Sequence, residues 1–85
     1  MTTIQFDVLD ELYFLQSYDY LTKTLKLNDK ILKETLEELL KKGWIKCYSS
    51  PTEELMPESL EFGKNYANYH YLATKAGLIA HNSNF

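Results

Sequence analysis

The sequence predicts an α+β domain, mainly α, in which a three-helix core is closed on one side by a two-stranded β-hairpin with a long loop, and a short helix follows. Three observations lead there. Apolar residues recur at helical spacing from Thr3 to Gln16 and more strongly from Leu25 to Ile45, and the pattern changes to strict alternation in Trp44–Ser49 and Tyr69–Ala73. A chain of 85 residues is expected to form one domain over 1–85. A domain of this size buries only roughly 60% of its unfolded surface, so each large apolar side chain counts.

In the first helix Ile4, Val8, Leu12 and Leu15 form the stripe, widened by Leu9 and Tyr13, while Asp7, Asp10 and Glu11 take the polar side. Phe6 and Phe14 flank the stripe, as side chains that are partly exposed or meet a partner. Ser17 suits the N-cap of a short second helix over Tyr18 to Leu25, with Leu21 and Leu25 inward and Tyr18 or Tyr20 at the edge. Lys26 and Leu27 make the turn, Leu27 plugging the gap between helices.

The third helix has both ends written in the sequence. Asn28 is placed to accept from the free N–H groups of the first turn, and Asp29 puts negative charge where the helix dipole is positive. Lys41 and Lys42 suit the other end, and Gly43 supplies a left-handed closing residue. Leu32, Leu36, Leu39 and Leu40 form the buried stripe, widened by Ile31 and Thr35. The outer face carries Lys30, Lys33, Glu34, Glu37, Glu38 and Lys41. Its Glu37–Lys41 and Glu38–Lys42 pairs are worth only about 0.2–0.5 kcal/mol each, so the buried stripe has to hold the helix in place. The expected core is Val8, Leu12, Leu21, Leu32, Leu36, Leu39 and Ile45, with Leu36 at its centre.

Alternation puts Cys47 on the same face as Ile45, which reads as core packing of a reduced thiol. In the second strand Tyr69, Tyr71 and Ala73 face one way and His70 and Leu72 the other, with one edge of His70 in water. About twenty residues separate the strands, more than a hairpin loop uses. They hold Pro51, Pro57, Gly63 and the acids Glu53, Glu54, Glu58 and Glu61, with Leu55, Met56, Leu60 and Phe62 among them. This insert reads as a mobile loop, the alternative being a turn of helix from Pro57. Thr74 suits the cap of a last helix running to about His81, whose Leu78 and Ile79 return to the core, and a frayed tail follows.

Composition restricts the function. The net charge is −3 and all nine basic residues are Lys, a weak start for contacts to phosphate. No apolar run approaches the ~20 residues of a membrane span, and the N-terminus lacks the basic and apolar regions of a signal peptide, so a cytoplasmic location is expected. His70 and His81 are not spaced as a ligand pair, and no second cysteine, Gly-rich phosphate loop or nucleophile elbow occurs. No metal, cofactor or enzymatic activity is therefore expected. Seven tyrosines against four phenylalanines and one tryptophan suggest a subunit contact. A homodimer through Phe6, Tyr13, Phe14, Leu78 and Phe85 is the expectation.

Two local patterns carry a family likeness. One is the Leu-x-Leu-polar turn at Leu25 to Asn28, leading to the leucine stripe and ending in Lys41, Gly43, Trp44 and Ile45. The other is Ala73, Thr74 and Gly77 at the start of the last helix. With the order helix, short helix, turn, long helix, strand, loop, strand, short helix, the chain resembles winged helix-turn-helix domains over nearly its whole length. It is similar to small MarR-like and PadR-like bacterial transcriptional regulators. The resemblance implies double-stranded DNA as partner, with the third helix in the major groove and the hairpin loop, or wing, at the backbone. Asn28, Lys30, Lys33, Glu34 and Glu37 would then face the groove, and Lys41 and Lys46 would meet phosphates. Glu34 stands where Arg is common, though an acid there is able to accept from a cytosine amino group. The alternative is a winged-helix protein-interaction module that does not bind DNA, using the acidic insert with Leu55, Leu60 and Phe62 as anchors.

Overall fold

The computed structural model describes residues 1–56 and 60–83. The helical turn expected from Pro57 and the dimer contact expected of Phe85 lie outside the described residues. The elements in chain order are α1 (Thr3–Glu11), β1 (Gln16–Ser17), α2 (Tyr18–Leu25), α3 (Asp29–Lys41), β2 (Ile45–Ser50), β3 (Glu53–Leu55), α4 (Phe62–Asn65), a 3-10 turn (Tyr66–Asn68), β4 (His70–Ala73) and α5 (Lys75–Asn82). The class is α+β, mainly helical.

Local chemistry sets most of the helix ends. Thr2 and Gln5 form a reciprocal capping box at the start of α1, with bonds of 3.0 and 3.1 Å. Ser17 accepts from the Tyr20 N–H, and Asn28 from the Ile31 N–H at 2.9 Å. At the end of α3, Gly43 takes φ +74° while the N–H of Trp44 reaches the Leu39 carbonyl and that of Gly43 reaches Leu40. This is the Schellman pattern that a C′ glycine permits. α1 ends at Glu11 with Leu12 as C-cap, five residues before the expected Gln16. The cause is tertiary: the Leu12 carbonyl accepts the Ala73 N–H at 2.9 Å, so the chain leaves the helix to follow the sheet.

The sheet has four strands in the order β1-β4-β2-β3, every pair antiparallel, rather than the two expected. β2 and β4 form the anticipated hairpin pair, with Ile45 opposite Ala73 and Cys47 opposite Tyr71. β1 adds two residues to the outer edge of β4, too short a strand to carry a periodic signal. β3 folds the first part of the insert back on β2. Cys47 pairs with Leu55, Lys46 bridges Glu54 at 3.3 Å, and Ser49 donates to Glu53 at 2.8 Å. The insert is therefore strand at 53–55 and helical at 62–68, where a mobile loop was expected.

The core holds Val8, Leu9, Leu12, Leu21, Leu32, Leu36, Leu39, Ile45, Cys47, Tyr71 and Ala73. All seven expected core residues are among them. Three residues expected to widen the buried stripes or return to the core, Tyr13, Ile31 and Ile79, are exposed instead. On α3 the inward direction is set by Leu32, Thr35, Leu36 and Leu39, and Ile31, one residue (about 100°) back from Leu32, emerges into solvent. On α5 the inward positions go to Gly77 and His81, one turn apart, which leaves Ile79 exposed on the opposite side.

Candidate functional site: the outer face of α3 and its flanking cavity

The outer face of α3 begins at a carboxylate that holds three elements together. The Tyr18 hydroxyl on α2 donates to Asp29 Oδ1 at 2.5 Å, and the Tyr66 hydroxyl in the insert donates to Oδ2 at 2.7 Å. These two bonds, Tyr18 first, hold the Asp29 carboxyl below its ordinary pKa. Burial and the same carboxylate push the Tyr18 hydroxyl upward, and the bond to Asp29 raises Tyr66. The Tyr66 ring meets Tyr18 edge-on at 5.3 Å, Phe62 at 5.6 Å and the Lys33 ammonium at 5.1 Å. The second half of the insert is thus pinned beside the N-terminal end of α3. Tyr66 had no sequence signal, because its partner lies 37 residues away.

The residues expected to face DNA are divided by this arrangement. Lys30, Glu34, Glu37 and Lys41 are exposed. Lys33 is half-buried over Tyr66, and the Asn28 side chain is engaged as the cap of α3. Lys46, an expected phosphate contact, is instead tied to Glu54, whose hydrogen bond raises its pKa. Lys26, in the left-handed turn before α3, is exposed and was missed by sequence reasoning.

Along the C-terminal half of α3 lies a cavity of about 460 Å³. Its apolar wall is Leu40, Ile45, Cys47, Leu55, Leu60 and Phe62, and its polar groups include Glu37, Lys41, Lys46 and Glu54. The three residues expected to anchor a partner protein and three of those expected at DNA therefore border one space. Cys47 is fully buried in that wall, and burial pushes its thiol up to about 12.

The expected dimer residues are largely engaged within the chain. Phe6 stacks on His81 at 4.1 Å between centroids. The Tyr13 hydroxyl lies 2.8 Å from His81 Nδ1 and donates to Asn82 at 2.9 Å, and Asp10 is 3.3 Å from His81 Nε2. These contacts lock α1 to α5. Leu78 is half-buried against the core, and among the described members of the set Phe14, 76% exposed, stands clear. His70 is half-buried, and its Nδ1 is buried with no hydrogen-bond partner among the described residues.

Among the described residues no group of three or more His, Cys, Asp or Glu side chains is placed to hold a metal ion, and no helix is long and apolar enough to cross a membrane. Compared with protein-family models, with curated proteins and with solved structures, the chain matches none.

Proposed function

We propose that this chain is a winged-helix DNA-binding protein, acting as a transcriptional regulator, that meets duplex DNA through the N-terminal half of α3. The element order supports the winged-helix reading, since α2 and a tight turn lead into α3 and the β2/β4 hairpin follows it directly. One observation carries the choice of partner. Around the N-terminal end of α3 the lysines outnumber the acids: Lys26, Lys30 and Lys33 stand against Asp29, whose two tyrosine hydroxyl partners leave its charge in place, and the exposed Glu34. Asp19 is paired with Lys23 at 2.9 Å, and Lys26 and Lys30 have no carboxylate partner among the described residues. The uncompensated charge at that end is positive, although the chain carries −3 overall.

With so few lysines, affinity away from a specific site is weak and depends steeply on salt. Two to four phosphate contacts give a slope of roughly −2 to −4 in log K against log salt. The test is a fluorescence-anisotropy titration at low salt with random duplex and with DNA from upstream of the protein's own operon. Lys30→Glu abolishes binding while leaving the circular dichroism of the fold unchanged. Absence of binding to every duplex at tens of micromolar protein overturns the proposal.

A second reading, a winged-helix interaction module that does not bind DNA, is favoured by the meeting of Leu55, Leu60 and Phe62 in one cavity. Under it Lys30→Glu has no consequence.

A further inference from the structure

We infer that the cavity between α3 and β2 is a site for a small apolar zwitterion, with the chemistry of a free apolar α-amino acid. Its volume of about 460 Å³ falls within the range of small-molecule sites, and beside the polar Glu37, Lys41, Lys46, Glu54 and Thr74 it has an apolar wall built from several elements: Leu40 from α3, Ile45 and Cys47 from β2, Leu55 from β3, and Leu60 and Phe62. Such a wall offers ordered water few partners, so an apolar group entering it displaces water at little cost.

The charges decide the ligand class. Lys46 and Glu54 are bonded to each other at 3.3 Å and present no net charge. Glu37 and Lys41 differ: they sit one turn apart on α3, both exposed, and neither makes an ion pair or a side-chain hydrogen bond among the described residues. A simple carboxylate entering the cavity is attracted by Lys41 and repelled by Glu37, and a simple amine meets the reverse. A molecule carrying both an ammonium and a carboxylate on one carbon answers both groups while its side chain enters the apolar space. The volume favours large side chains, such as those of phenylalanine, methionine and leucine. DNA plays no part in this inference, so the proposed regulator role and this site stand or fall separately.

The test is calorimetric and NMR titration of the full chain with L-phenylalanine, L-leucine and L-methionine. The controls are N-acetyl-L-phenylalanine, L-phenylalaninamide, glycine and an end-blocked Phe-containing tripeptide. Saturable binding is expected, with amide shifts centred on Cys47, Leu55 and Leu60. Loss of either charge or of the side chain weakens it about tenfold or more. Glu37→Gln and Lys41→Gln each weaken L-phenylalanine by a similar factor without moving the melting temperature, and Leu60→Trp, which fills the space, removes binding. No shift with any amino acid up to about 10 mM, beyond which affinity is negligible, overturns the inference. So does equal binding of the blocked analogues. Tighter binding of the tripeptide overturns it in favour of a protein partner.

Discussion

Gly77 lies directly against the backbone carbonyl of Trp44: a Cβ built at position 77 would meet the carbonyl oxygen and come within 2.9 Å of its carbon. That carbonyl also accepts the Thr74 N–H at 2.9 Å. Thr74 Oγ1 in turn accepts from the Gly77 N–H at 3.2 Å and donates to the Gly43 carbonyl at 2.7 Å. The Thr74-x-x-Gly77 pattern is therefore a weld between α5 and the α3–β2 junction. Cap, junction and glycine depend on one another.

Gly77→Ala forces backbone apart rather than a flexible side chain, and is expected to destabilise the domain by about 3 kcal/mol in urea denaturation. Gly63, which has nothing within 4 Å of its would-be Cβ, is the control and tolerates Ala at little cost. A Gly77→Ala protein as stable as the parent would show that α5 does not pack on Trp44 as described.

Asp29 sets a pH dependence at both extremes. Its folded pKa is depressed by the Tyr18 and Tyr66 hydroxyls, so its contribution is present above the ordinary carboxylate value of ~3.9 and disappears as pH falls through the folded value. The two tyrosines are raised, so theirs is present below pH ~10 and disappears as pH rises beyond it. Urea midpoints measured against pH are expected to fall less steeply below pH ~4 in Asp29→Asn than in the parent, and Tyr66→Phe to soften the alkaline decline. Superimposable parent and Asp29→Asn acid limbs would rule out the carboxylate as the source.

How far the sequence reaches is clear from α3. Asn28 and Gly43 act on backbone groups within a few residues, and both ends of the helix were legible for that reason. The two short strands were not. β1 is placed by pairing with β4 some fifty residues later, and β3 by Cys47 opposite Leu55, so neither needs an alternating pattern of its own. His81 was set aside as no metal ligand, yet it is the buried link between α1 and α5 through Phe6 and Tyr13. The cavity was half legible. Leu55, Leu60 and Phe62 stood out as apolar residues in an acidic stretch, but only folding brings them to Leu40 and Cys47.

Cys47 reports on opening of that structure. Its side chain is fully buried and its thiol is raised from the ordinary 9.0 to about 12 by burial, so little thiolate forms at pH 8 and none is accessible. Labelling by a disulfide reagent is expected to be slower than in urea by a factor of roughly a thousand or more, following the population of opened protein. Addition of a reagent-inert ligand that fills the adjoining cavity slows it further. Labelling of the native protein within seconds would mean that β2 is not covered by α3 and the insert.

Self-association is the last expectation, and the structure narrows the surface on which it rests. Phe6 and Tyr13 are engaged with His81 and Asn82 of the same chain, whereas Phe14 is 76% exposed and Ile79 is 55% exposed. An aromatic ring this open is costly to leave in water and contributes strongly when covered. A two-fold dimer would also present two copies of Lys26 and Lys30 to a palindromic duplex, doubling the phosphate contacts available to a chain poor in basic residues. Light scattering at high micromolar concentration is expected to give a dimer mass for the parent and a monomer mass for Phe14→Ser at an unchanged melting temperature. A parent that stays monomeric removes the dimer. DNA affinity would then rest on the few lysines of a single α3, and the salt slope would fall to the lower end of its expected range.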